Sequence, residues 1–232
     1  MNKIGLDISL SSTAMSLKSD EKIELFNYTT TKPNNKWVKE IEKIVNFRFL
    51  ICREDVEKYS EREINKLKDF EESSDLILDD ILNNIDPYQD TIVNIEGYSF
   101  NNKNTNSLID IVGFSTLIRQ KILVRIPKVH IEIISPNTVK LQTCINTYGY
   151  LPAPIGKKGQ TLKDPMISMS PNGAKGGDFE KSDMLIAMLD ANIQSPILYY
   201  VNLNKSILLG SKKIPKPFDD LIDSIHIMNL VV

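Results

Sequence analysis

Four carboxylates in this chain stand where an acidic side chain is costly to place without a partner. Asp7 closes the apolar run KIGLDI at residues 3–8, and Glu96 closes a second, TIVNIE, at 91–96. Read as strands, these runs put Gly5, Asp7 and Ser9 on one face and Ile4, Leu6 and Ile8 on the other; Asn94 and Glu96 likewise share a face opposite Val93 and Ile95. Glu180 and Asp183 are three apart in EKSDMLIAML, a spacing that makes side chains neighbours on one helix face. Like charges gathered in this way raise one another's pKa unless a cation lies between them. Hard oxygen ligands from separated segments are what Mg2+ or Mn2+ takes, and two such ions can activate water and stabilise the leaving oxygen in phosphodiester hydrolysis. Taken singly, each residue also has an ordinary reading. Asp7 can cap a turn, Glu96 can be a strand-end charge, and Glu180 and Asp183 can be first-turn acids favoured by the helix dipole.

The elements that must carry these groups follow from pattern. Strands are predicted at 3–8, 12–18 and 22–29, an antiparallel meander with a Ser-rich turn at 9–11. Trp37, Ile41, Ile44, Val45 and later Ile77, Ile81 and Ile85 recur at helical spacing within a heavily charged segment, so residues 36–86 read as a charged helical insertion of two helices. A strand at 91–96, a helix over 105–123, a strand at 131–134 and a helix capped by Ser135 with Pro136 at its first position come next. Residues 147–177 are rich in Gly, Pro and Lys and read as a long loop, either functional or disordered in part. A helix is expected from about 179 to 193, with Asp178 as its cap, then short strands at 197–202 and 205–209 and an ill-defined final helix. Three strands followed by helices, strand, helix, strand and helix is the order of an RNase H-like α/β domain, expected to span residues 1–232.

Composition narrows the chemistry. The 232 residues are 41% hydrophobic and 25% charged, ordinary for a globular chain, and no apolar run approaches the length of a membrane span. The start MNKIGLDISL leaves no apolar core for a signal peptide, which points to a cytoplasmic setting or the compartment of viral DNA replication. Cys52 and Cys144 are too few for a disulfide framework or a zinc site, and the only histidines, His130 and His226, have no nucleophile elbow beside them. The net charge of −2 hides an uneven distribution. Acids crowd residues 20–90, whereas Arg119, Lys121, Arg125, Lys128 and Lys140 form a basic stretch, with a second group at Lys212, Lys213 and Lys216. That distribution permits nucleic-acid binding.

The sequence also resembles the RuvC family of Holliday junction resolvases. IGLDISLSSTAMSL is similar to that family's first strand, acidic residue and hairpin. EGYSFNNKNTNSLIDIVG matches its strand-ending Glu followed by an aromatic, a Lys-Asn pair and a Ser leading into a helix. SPNTVKLQTCINTYG resembles its Val-Lys helix start, GKKGQTLKDPMI its lysine-bearing segment, and EKSDMLIAML its closing acidic helix. The resemblance covers about two thirds of the chain. The family usually has Asp where Glu180 stands, and 197–232 has no counterpart. It implies two Mg2+ ions (or Mn2+) held by Asp7, Glu96, Glu180 and Asp183, with Lys158 beside the scissile phosphate. It further implies DNA contacts from Tyr98, Phe100, Lys103, Asn104, Lys140, Lys157 and Lys158, and a homodimer on branched DNA. The dimer contact is expected on helix 105–123 through Leu108, Ile111, Val112 and Ile118, because a four-way junction has two-fold symmetry. The implied activity is endonucleolytic resolution of four-way DNA junctions. Frequent Asn and Ile and an excess of Lys over Arg point to an AT-rich genome, which would suit a phage or viral origin. Two alternatives stay open: an RNase H-like nuclease acting on other branched DNA or on RNA–DNA hybrids, and a non-catalytic DNA-binding protein on the same scaffold. IGLDISLSST also resembles the first phosphate loop of actin-like and sugar kinases, but a second Gly-rich loop is missing and no nucleotide cofactor is expected.

Overall fold

The computed structural model describes residues 1–30, 36–54, 56–98, 105–151, 166–167 and 179–230. The chain builds one six-stranded mixed sheet. Strands β1 (Asn2–Asp7), β2 (Ser12–Ser19) and β3 (Lys22–Thr29) form the antiparallel meander, and β4 (Asn46–Phe49), β5 (Thr91–Glu96) and β6 (Val129–Ile134) complete the order β4-β3-β2-β1-β5-β6. β5 and β6 run parallel to β1, and β4 runs parallel to β3, so only β2 is reversed. This is the RNase H-like arrangement expected from the order of elements, extended by one edge strand.

Each face of the sheet has its own core. Ile4, Leu6, Met15, Leu17, Phe26, Tyr28, Val93 and Ile95 point one way and are covered by α2 (Tyr59–Leu82) and α3 (Thr105–Arg125), through residues such as Ile77, Ile81, Phe114 and Ile118. The other face is covered by α8 (Phe218–Asn229), which lies directly on β1, β2 and β5. Behind it stand α4 (Pro136–Tyr148), α5 (Lys181–Asp190), α6 (Leu198–Leu203) and α7 (Lys205–Gly210). The short α1 (Lys36–Ile41) reaches the start of α8, where Trp37 meets Phe218 edge-on at 5.6 Å. Among the described residues no helix is long and apolar enough to cross a membrane.

Several expectations need correction. The 36–86 segment is not purely helical: its four-residue β4 adds an edge strand, tied down where Asp80 of α2 accepts hydrogen bonds from Tyr28 Oη at 3.1 Å and Arg48 Nε at 3.2 Å. Residues 197–202 and 205–209 are helical rather than extended. Their buried residues Ile197, Val201 and Leu208 are four and seven apart, which is helix spacing, and they pack into the α8-side core. Within residues 147–177, α4 runs to Tyr148 and Tyr150–Leu151 pairs antiparallel with Met166–Ile167. Helix α5 begins at Lys181 with Glu180 as its cap residue, later than expected; Asp178 lies outside the described residues. Ile118 is buried in the core, so it faces away from any interface on α3.

Candidate active site at the ends of β1 and β5

Leu6 stands beside Ile95 across the parallel β1–β5 pair, so Asp7 and Glu96 end neighbouring strands at the same level. Their side chains are hydrogen-bonded to each other. Burial first, then the charge of Glu96 and that of Asp220, pushes the Asp7 carboxyl well above the usual carboxylate range. Burial also raises Glu96, against the pull of Lys181 and Lys140. Two buried acids at this spacing share a proton or require a cation.

The third acidic segment is α8. It can lie close because the sheet face beneath it is small and polar. An added Cβ at Gly5 would sit 2.2 Å from Ser224 O and 2.4 Å from Met228 N, so only glycine allows the helix backbone to touch β1. Around that contact Ser16 Oγ meets Ser224 Oγ at 2.7 Å, and Asn94 Nδ2 donates to the carbonyls of Ile227 (2.8 Å) and Leu230 (3.2 Å) at the helix end. The Ser9 turn is closed by Ser9 Oγ donating to Ser12 O at 2.8 Å, and Ser12 Oγ in turn donates to Asp220 at 2.5 Å. Asp220 is thereby directed toward the strand ends, where its charge acts on Asp7; Asp223, one turn on and also buried, pairs with Lys181. Lys216 pairs with Asp220 at 3.1 Å, and Lys181 of α5 bridges to Asp219 at 3.2 Å and to Asp223. Burial alone would lower the Lys181 pKa, but Asp219, Asp7 and Glu96 raise it instead. The ammonium thus acts as a counter-ion within the acidic cluster.

The expected pair on α5 has a different setting. Asp183 is buried and turns back on its own helix, accepting the Glu180 N–H at 3.0 Å, and its charge acts on Cys144 and Tyr148 of α4. Helix α8 lies between α5 and the sheet: His226 Nε2 donates to Met184 O at 2.8 Å across that contact. Asp183 is therefore a capping residue, and Glu180 lines an adjoining cleft with Lys140 and Asp219. The sequence reading missed Asp220 and Asp223. Their signal was DDLIDSI after Pro217, with the same three-residue spacing that drew attention to Glu180 and Asp183. Of the other candidates, Tyr98 accepts a hydrogen bond from Arg119 at 2.7 Å and lies under its guanidinium, which ties it to α3. Lys140 is half-buried on α4 and attracts Glu96. Phe100, Lys103, Asn104, Lys157 and Lys158 lie outside the described residues.

Among the described residues no three carboxylate, histidine or cysteine side chains are drawn together tightly enough to cage an ion as they stand. The donor chemistry nonetheless fits a hard divalent cation. The candidate ligands are all carboxylate oxygens, and burial together with the charges of Glu96 and Asp220 raises the Asp7 pKa against the pull of Lys181.

No family model matches the chain, and no curated protein matches it. Among solved structures the chain is similar to Thermus thermophilus RuvC, with 11% identity, coverage of 98% of this chain and 91% of that one, and a TM-score of 0.40. It is also similar to T. thermophilus RuvC in complex with a Holliday junction substrate, with 11% identity, coverage of 98% and 90%, and a TM-score of 0.38. Overlap this loose carries no residue role from one chain to another.

Proposed function

We propose that the protein is a divalent-metal-dependent nuclease that cleaves branched DNA, with four-way junctions as its preferred substrate, and that Asp7, Glu96, Asp220 and Asp223 hold the metal. The observation that carries this reading is the Asp7–Glu96 pair at adjacent strand ends, mutually hydrogen-bonded and under strong pressure to gain a cation, with α8 delivering further carboxylates. When bound, a pair of Mg2+ or Mn2+ ions supplies water activation and charge stabilisation for phosphodiester hydrolysis. The chain's own residues set the geometry: Gly5 admits α8, Ser12 and Lys216 orient Asp220, and Lys181 neutralises Asp219 and Asp223 until metal takes over. Glu180 and Lys158 are secondary candidates, the first beside the cleft and the second in a segment rich in lysine. The preference for four-way junctions rests on the sequence resemblance, as does assembly as a homodimer. The test is incubation of a four-way junction, a flap, a linear duplex and an RNA–DNA hybrid with and without Mg2+. Metal-dependent cutting that favours the junction supports the reading, cutting that favours the hybrid redirects it to an RNase H, and no cutting of any substrate overturns it.

A further inference from the structure

A cleft of about 550 Å3 opens beside the carboxylates, between α4, the start of α5 and the 211–214 link that joins α7 to α8. Among the described residues four ammonium groups line it: Lys140, Lys181, Lys212 and Lys213. Lys181 is committed to Asp219 and Asp223. The other three form no ion pair among the described residues, whereas Lys66, Lys121 and Lys216 each meet a carboxylate. Lys212 and Lys213 are exposed, and Glu180 and Asp219 are the only acids on the lining among the described residues. Four ammonium groups against two carboxylates leave the described lining with net positive charge, which favours an entering anion. The cleft also shares a wall with the acidic site, since Lys140 and Lys181 both attract Glu96 and Asp219 repels it. An anion seated there therefore lies next to the carboxylates, and the segment that holds it continues within a few residues into α8.

We propose that this cleft seats the phosphodiester backbone of a nucleic-acid strand next to the bond to be cut, with Lys140, Lys212 and Lys213 as its phosphate contacts. The inference rests on the nuclease reading and adds the track by which a strand is held. Backbone contacts of this type fix register and carry no sequence information. They release counterions, so each lysine lost lowers the slope of log K against log salt by about 0.7–0.9.

The experiment measures binding of a four-way junction by the full-length Asp7→Asn protein in EDTA over a range of salt. Its arms are this background alone, with Lys212→Ala/Lys213→Ala, with Lys140→Ala, and with Lys68→Ala as a control on α2 at the opposite face of the sheet. The proposal predicts roughly ten-fold or greater loss of affinity and a slope reduced by about 1–2 for the double variant, a smaller loss for Lys140→Ala and none for Lys68→Ala. An unchanged slope in the double variant overturns the seat while leaving the nuclease reading intact. Failure of the parent protein to bind DNA at any salt overturns both. Inorganic phosphate is titrated in parallel. Saturable phosphate binding that the double variant loses while its DNA affinity holds assigns the cleft to a free anion and overturns the proposal.

Discussion

At neutral pH the buried Asp7 carboxyl, beside Glu96 and Asp220, holds its proton more tightly than it would in the unfolded chain, and its raised pKa records a cost to the fold. The sign follows from linkage. A carboxyl whose folded-state pKa lies above the unfolded value of about 4 contributes favourably only when protonated, and that contribution is lost as pH rises through the folded value. The metal-free fold is therefore strained by its own site at pH 7. Asp7→Asn should melt higher than the wild type in EDTA, by about 2–4 °C for each kcal/mol recovered, with the gap closing below about pH 4, and should gain little from Mg2+. Differential scanning fluorimetry at several pH values reads this directly; an equal or lower melting temperature for the variant at pH 7 contradicts it. His226 works in the opposite direction. Burial pushes its pKa down to about 4, so its neutral form is the one the fold accepts. Its contribution is complete above about pH 6.5 and disappears as pH falls to about 4, amounting to at most roughly 3 kcal/mol. Urea unfolding across this window should show a shallower loss in His226→Gln, and an unchanged profile would remove His226 from the account.

Among the elements, α8 decides the site, and it was the one least legible in the sequence. Asp7 and Glu96 could be read directly, because a charge closing an apolar alternating run is conspicuous. Helix α8 gives no such contrast. Phe218 and every residue from 220 to 228 are buried, so the helix has no wet face to set a period, and its inner side meets serines, asparagine and glycine on the sheet. Its aspartates therefore give no such signal, whereas EKSDMLIAML, a half-buried helix with a self-capping Asp183, reads as the acidic helix. The strands of the meander and the helix Thr105–Arg125 were legible because each presents one clean face to a core. The close approach at Gly5 supplies a test. Gly5→Ala forces a Cβ into the backbone of Ser224 and Met228, and overpacking that cannot relax costs about 1–3 kcal/mol or more. We expect a lower melting temperature together with weaker metal-dependent cleavage, both measured on the same preparation. A variant as stable and active as the wild type would mean that α8 does not rest on β1 in this way. Lys181→Met should also lower the melting temperature in EDTA and regain it with Mg2+, because the metal replaces the lost counter-ion.

For the molecule as a whole, the mixed sheet puts its polar, site-bearing face under α8 and its apolar face under α2 and α3. The outer side of α3 carries exposed Ile109, Leu123 and Val124, and the edge strand β6 adds exposed Ile133. With Ile118 in the core, a two-fold contact would use these residues together with the half-buried Leu108, Ile111 and Val112. Light scattering near neutral pH should show a dimer that Leu123→Glu/Ile133→Glu disrupts, and a monomer with and without junction DNA contradicts the assembly. The architecture was legible because it follows from the order of strands and helices. The candidate site needed the tertiary packing, which brings residues 7, 96 and 220 together across most of the chain and joins Asp223 to them through Lys181. The decisive measurement compares Mg2+-dependent cleavage of a four-way junction by the wild type, Asp220→Asn, Asp223→Asn and Asp183→Asn, each first shown to be folded. We predict loss of cleavage by tens-fold or more for the first two variants, while Asp183→Asn, whose side chain can still cap its helix, cleaves at close to the wild-type rate. Full activity in Asp220→Asn and Asp223→Asn with a dead Asp183→Asn would place the acidic helix at α5 and contradict the site described here.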